Sequence, residues 1–368
     1  MSEGTGNTVD ALYREGAAAW DAGRHAEAAM HARAAIAIEP GLPALHFLLG
    51  SALMQARDWL PAIAAFGKAL ALGIAYPMSH HCALQAALAR ARIDLEQGIA
   101  PERKALPADP PFISCIICSI TPARFEKISA NLDSVLAGVP HEIVGIHDAR
   151  SLCEGYNRGA RRSRGDILLF CHDDIEIVGD DFAARLLAHL GTHELVGVAG
   201  STRLAGKAWL YADWPQVHGQ IGMPGPGAGR VTVTAFQMTG DATAGAQVID
   251  GVLMAARRVL WQDQPFDEAV FDGWHLYDFD FSYSAYSAGR RVAIAHDLLV
   301  VHESTGNFGG EWQRYAQKFI TKHGISLATP ATARPPELCS VTVGSAAEWM
   351  LFSAHASAAA AARSAHCA

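Results

Sequence analysis

No uninterrupted apolar run in this sequence reaches the roughly 18–20 residues that a membrane-spanning helix needs. Charge is also sparse: 18% of residues are charged, and the formal net charge is −8. Lys and Arg never gather into a block, which argues against nucleic acid as the main partner. Residues 1–10 have neither the basic start nor the apolar segment of a signal peptide, so a cytoplasmic location is expected. Cysteine is scarce and scattered, with seven in 368 residues. Cys115 and Cys118 form a C-x-x-C, a spacing that can mean redox or zinc chemistry. Both lie inside a strand-like apolar run, 113–120, where residues three apart point to opposite faces. The two sulfurs should diverge, leaving free thiols in a reducing compartment.

Half of the residues are hydrophobic, enough for a large core, and the length suits two domains. Residues 9–98 are rich in Ala and Leu at helical spacing. Gly16, Ala28 and Ala35 recur 34 residues later as Gly50, Ala62 and Ala69. A third, degenerate unit runs over about 78–97. The period and the small residues resemble the tetratricopeptide repeat, which implies an all-α helical-repeat domain over 1–98 and a surface for a protein partner. A packing appendage to the next domain is the alternative. His80 and His81 are adjacent, so on a helix they point about 100° apart and do not share an ion. They read as surface or interface histidines. The four prolines of 101–111 mark a linker, set at 99–111.

Residues 112–146 read as strand, helix, strand, a β-α-β unit with a right-handed parallel crossover. The second strand ends at His147-Asp148. Asn157 and Gly159 follow, then Arg161, Arg162 and Arg164, which read as a solvated helix face. The next strand, Ile167–Cys171, is apolar throughout and stops at His172-Asp173-Asp174. Adjacent carboxylates at a strand end repel one another unless a cation lies between them. Oxygen ligands of this kind favour Mg²⁺ or Mn²⁺, and with them a phosphate-bearing substrate.

Beyond this point a helix, a further strand and a Gly-rich region (201–247) read as a hairpin and loops around an acceptor pocket. Trp209 and Trp214 are candidates there for stacking on a sugar face, or for packing. Asp250-Gly251 precedes another apolar strand. Tyr277-Asp278-Phe279-Asp280 then opens a helix, and a last strand ends at His302. Asp280 reads as a charge favoured by the helix dipole.

Taken in this order, the motifs resemble a family-2-like glycosyltransferase of the GT-A fold over about 112–324. The resemblance implies an α/β domain at 112–330, with a mixed, mainly parallel sheet flanked by helices. An Ala/Ser/Pro-rich tail would follow at 331–368. It implies that Thr121, Pro122, Asp148, Asn157 and Asp173 hold the nucleotide-diphosphate sugar. By the same resemblance Asp174 and His302 hold Mn²⁺ or Mg²⁺, with His172 in place of the usual first acid. Asp278 would be the catalytic base of an inverting transfer to an acceptor hydroxyl, while Tyr277 occupies another usual acid position. The acceptor would be a glycan, lipid-linked or protein molecule, and surface glycan assembly is the family-level expectation. The departures at His172 and Tyr277 keep a second reading open, a non-catalytic scaffold with a degenerate transferase domain. A nucleotidyltransferase fits poorly, because 119–126 has no Gly-rich basic loop.

Overall fold

The computed structural model describes residues 3–212, 214–304, 309–325 and 337–367, with side chains described between 6 and 361. Residues 326–336, which include the start of the tail expected at 331–368, lie outside the described residues. The chain divides into two compact units. One comprises Met1–Pro101, Glu337–Val341 and Ala347–Ala368; the other comprises Glu102–Pro336 and Thr342–Ala346.

The first unit is helical: α1 (Glu3–Asp21), α2 (His25–Ile38), α3 (Pro43–Gln55), α4 (Trp59–Ala71) and α5 (Met78–Glu96). Each packs on the next, and α1 touches α3 as α3 touches α5. The small residues that recur at the 34-residue interval are all buried. They are small because the helices approach closely there. A Cβ on Gly50 would stand 2.8 Å from two ring carbons of Phe66, and one on Gly16 would stand 2.9 Å from Leu48 Cδ2. His80 is buried rather than on the surface, and half-buried His81 meets the Phe47 ring edge-on at 5.7 Å. The final helix, Ala346–Cys367, packs with this unit and is not a separate tail. Glu348 pairs with Arg92 at 2.7 Å, and His355 reaches Asp94 at 2.7 Å.

The second unit is α/β, as expected. Its chain order is β1 (Ile113–Cys118), α6 (Pro122–Val135), β2 (His141–Ile146), α7 (Leu152–Arg162), β3 (Ile167–Cys171), β4 (Ile175–Val178) and α8 (Phe182–Thr192). There follow β5 (Leu195–Gly197), β6 (Ala199–Ser201), β7 (Val217–Pro224), β8 (Val231–Ala235), β9 (Ala242–Ala244), β10 (Val248–Ile249) and β11 (Leu253–Arg257). Helices α9 (Arg258–Asp263) and α10 (Tyr277–Ser287), strands β12 (Val292–Ala295) and β13 (Leu299–His302), and helix α11 (Gly310–His323) come next.

The main sheet runs β2-β1-β3-β11-β5-β12-β9. It is parallel across β2, β1 and β3, the β-α-β unit read from the sequence. Beyond β3 it is mixed. β11 lies antiparallel between β3 and β5, and β12 is parallel to β5 but antiparallel to β9. A second sheet runs β10-β6-β7-β13-β4, with β8 folded back on β7 as the hairpin expected in the Gly-rich region. β3 is buried along its whole length because helices and strands cover both its faces. β1 sends Cys115 into the core that contains Ile128 and Leu186, and Cys118 against the core of Tyr156 and Phe170. The sulfurs diverge as period-two geometry requires, and both thiols are free.

Candidate active site

The site forms where β3 ends. Immediately past Asp174 the chain enters β4, which pairs antiparallel with β13 in a register that sets Ile175 opposite His302. The Glu303 amide donates to the Asp174 carbonyl at 2.9 Å and closes the same corner. Residues 130 positions apart are thereby brought together. His302 Nε2 lies 3.3 Å from Asp174 Oδ1, and His172 Nδ1 lies 3.4 Å from His302 Nε2 and 3.7 Å from Asp174 Oδ1. The His302 hydrogen bond holds the Asp174 carboxyl far below the usual carboxylate range. Burial works against a charged His302, but Asp174 outweighs it and raises the imidazole. Burial, together with His302, lowers His172.

Donors that share one small divalent cation stand about 3.0–3.4 Å apart, for metal–ligand bonds near 2.1 Å. The two imidazole nitrogens and the carboxylate oxygen are close to that spacing and fit such an ion. Among the described residues, this trio is the group of His, Cys, Asp or Glu side chains so placed.

A second arm approaches from α10. Leu276 precedes the helix in the left-handed region, at φ 62°, and turns Tyr277 and Asp278 inward. The Tyr277 hydroxyl lies 2.8 Å from His172 Nε2 and 3.2 Å from the Gly251 carbonyl. The Gly251 amide donates to Asp278 Oδ2 at 2.9 Å. A side chain at 251 would be impossible without rearrangement, since its Cβ would meet the Tyr277 hydroxyl at 2.2 Å. Asp278, half-buried, has a carboxyl pushed up to about 7 by burial and by the neighbouring Asp250, against the pull of the Phe279 and Gly251 amides. His172, His302, Asp250, Tyr277 and Asp278 all line one pocket of about 230 Å³. The two histidines of the trio and the carboxylate expected to act as base therefore line one pocket, while Asp174 is absent from its lining and touches it through the histidines.

The residues expected to hold the nucleotide are placed less uniformly. Asp173 sits at the end of β3 and accepts from Ser119 Oγ, at the end of β1, at 2.7 Å. Arg124 approaches its other oxygen at 3.7 Å. Exposed Thr121 precedes α6, its amide 3.4 Å from the Ser119 Oγ that donates to Asp173, and Pro122 is the first residue of α6. Asp148 is exposed, and its hydrogen bond to Arg158 at 2.8 Å holds its carboxyl below the usual range. Asn157 is different. It is 1% exposed, it donates to the Phe266 carbonyl, and it accepts from Trp261 Nε1 and the Phe266 amide. It joins α7 to the segment after β11, and its amide is turned into the protein, not toward a ligand.

Other expectations sort in the same way. Asp280 stands in the first turn of α10, where a helix charge was expected, and is also 3% exposed and clamped by Lys322 and His323, each at 2.8 Å. Arg161, Arg162 and Arg164 are exposed, as expected. Trp209 lines the pocket and donates to Asp250 Oδ2 at 2.9 Å, whereas Trp214 is absent from the pocket lining. Sequence reasoning gave no role to Asp250, whose Oδ1 accepts from the Val252 amide, or to Trp274, which is 45% exposed on the pocket wall. The signal for Asp250 was present, as an Asp-Gly pair just before an apolar strand.

A cation-ready cluster beside a carboxylate of raised pKa, at the end of a central strand, is the layout of a group-transfer enzyme. Residues 114–323, more than half the chain, match the Glycosyltransferase like family, and the protein belongs to that family. No curated protein sequence matches it. Among solved structures it is similar to the mannosyltransferase PcManGT of Pyrobaculum calidifontis, determined with GDP-Man and Mn²⁺. That pair is 14% identical, covers 85% of this chain and 87% of the other, and has a TM-score of 0.38. GalNAc-T7, determined with UDP, GalNAc and Mn²⁺, is 12% identical, with 58% and 48% covered and a TM-score of 0.37. A197 from STIV is 12% identical over 53% and 86%, with a TM-score of 0.31.

Proposed function

We propose that this glycosyltransferase is metal-dependent and inverting, with Asp278 as the base that deprotonates the acceptor hydroxyl. The observation that carries the reading is the shared pocket. His172, Asp174 and His302 form a cluster fit for a divalent cation; its two histidines line the cavity that Asp278 also lines, and the Asp278 pKa is near neutrality. A general base works best when its pKa lies near the working pH. When bound, the cation would offset the charge of a departing nucleoside diphosphate. Asp173, Thr121, Pro122 and Asp148, near the ends of β1, β2 and β3, would face the nucleotide. Asp250 raises the basicity of Asp278 through its charge, and Trp209 fixes Asp250 by a hydrogen bond. Trp274 would offer an aromatic face to a sugar ring.

The scaffold reading draws on His172 and Tyr277 standing at acid positions. Release of nucleoside diphosphate from a panel of nucleotide sugars with Mn²⁺ separates the two readings. Wild type is expected to turn over at least one donor, and Asp174→Ala and Asp278→Ala to lose turnover. Equal release by all three proteins would leave the scaffold, and retained anomeric configuration in the product would sink the inverting assignment. We further propose that the helical unit is a tetratricopeptide-like surface for a protein partner, supported by the buried small residues at the 34-residue interval. Among the described residues no helix is long and apolar enough to cross a membrane. A cytoplasmic location and a glycan, lipid-linked or protein acceptor belong to the same proposal.

A further inference from the structure

The two departures from the family's acidic pattern face one another. His172 stands where the first acid is usual and Tyr277 where another is usual, and His172 Nε2 meets the Tyr277 hydroxyl at 2.8 Å. The phenol has one proton to give. Beside it lies the Gly251 carbonyl at 3.2 Å, which can only accept. The nearby Tyr156 hydroxyl spends its own proton on the Cys171 carbonyl at 3.2 Å. With the Tyr277 proton turned to such an acceptor, the shorter contact to His172 needs a proton from the imidazole. That proton then sits on Nε2, and Nδ1 carries a free lone pair. Nδ1 is the atom that faces Asp174 Oδ1 and His302 Nε2. The opposite tautomer would aim an N–H into the cluster and block it.

We propose that Tyr277 is a positioning residue that fixes His172 as the Nε2–H tautomer, so that the site presents two imidazole nitrogens and one carboxylate oxygen. Such a set suits transition-metal dications better than Mg²⁺ or Ca²⁺, which prefer oxygen. A hydrogen-bond partner on the far nitrogen of a ligating histidine orients the ring and sets its tautomer. The His172–Tyr277 pair therefore replaces two carboxylates without removing the site, and it shifts which ion the site selects. This inference rests on the metal reading of the pocket given above.

The test uses the full chain, stripped of metal and without donor. Mn²⁺ binding is followed by the loss of the free-ion electron paramagnetic resonance signal, and Mg²⁺ by competition. Wild type is expected to bind Mn²⁺ more tightly than Mg²⁺. Tyr277→Phe, which keeps the ring and loses the hydroxyl, is expected to weaken Mn²⁺ binding by about tenfold or more. In a His172→Asp background the same Tyr277→Phe change is expected to leave Mn²⁺ affinity unmoved, because a carboxylate has no tautomer to fix. His172→Asp alone should narrow the Mn²⁺/Mg²⁺ preference. A tyrosine that merely supported the fold would weaken binding in both backgrounds, which overturns the proposal. Unchanged Mn²⁺ affinity in Tyr277→Phe overturns it too, while leaving the metal reading intact. Failure of wild type to bind any dication removes the metal reading itself. Should Tyr277→Phe not fold, nitrogen-15 shifts of the wild-type imidazoles decide the matter: a proton on His172 Nδ1 contradicts the assignment.

Discussion

Asp278 and Asp280 stand two residues apart in the first turn of α10 and meet opposite surroundings. Two helical positions correspond to about 200° of rotation, so the two carboxylates leave on opposite sides. Asp278 enters the pocket, finds no cation among its described partners, and feels the charge of Asp250; its pKa rises to about 7. Asp280 enters the core and is held by Lys322 and His323 from the last turn of α11. The difference teaches that a carboxylate's task is set by what it faces. The carboxyl of Asp278 is raised because no described cation offsets it, and that of Asp280 is tied into the core by a lysine and a histidine.

The comparison breaks most sharply if Asp278 is exchanged for its amide. Asp278→Asn is expected to lower glycosyl transfer by about 10²–10⁴-fold, the usual range for a general base, measured as kcat/KM with the best donor found. Unchanged kcat/KM would strip Asp278 of its role. Next, Asp280→Ala should cost about 2–4 kcal/mol of stability by removing the buried carboxylate that accepts from Lys322 and His323, Lys322 keeping only Asp267 at 2.8 Å. Denaturant unfolding checks this, and a loss below about 1 kcal/mol would contradict the clamp. Lys322→Met should cost less, about 1–3 kcal/mol, because His323 remains on Asp280; it should leave the pH profile of transfer unmoved.

That profile itself sharpens the contrast. Transfer should fall as pH drops through the neighbourhood of 7, where Asp278 takes up a proton, and the limb should vanish in Asp278→Asn. The smallest effect is on stability. A carboxyl with a folded pKa raised above its unfolded value disfavours folding as pH rises between the two, and the deficit persists above the folded pKa. Asp278→Asn should therefore melt higher than wild type at pH 8, by about 2–4 °C per kcal/mol relieved, and show no gain near pH 3.

Much of this was legible because it was local. The strand that stops at His172, the run that opens α10 and the 34-residue interval of small residues are each a pattern in adjacent or regularly spaced positions. The divergence of Cys115 and Cys118 followed from strand period alone. What was not legible depends on distant pairings. The antiparallel insertion of β11 between β3 and β5 has no short-range signal, yet it brings Gly251 beside the end of β3. Asn157 looked like a ligand residue from its motif, but its partners Trp261 and Phe266 are more than a hundred positions away. His172 and Tyr277 each looked like a loss when read singly. Only their contact, across 105 positions, makes them a pair.

One peptide unit ties these observations together. The amide of Gly251 donates to the Asp278 carboxylate, and its carbonyl accepts from the phenol that touches His172. The proposed proton acceptor and the proposed ion cradle are thus levers on a single backbone fulcrum. Any shift of that residue tilts both at once, so evolution or engineering could not retune one without disturbing the other.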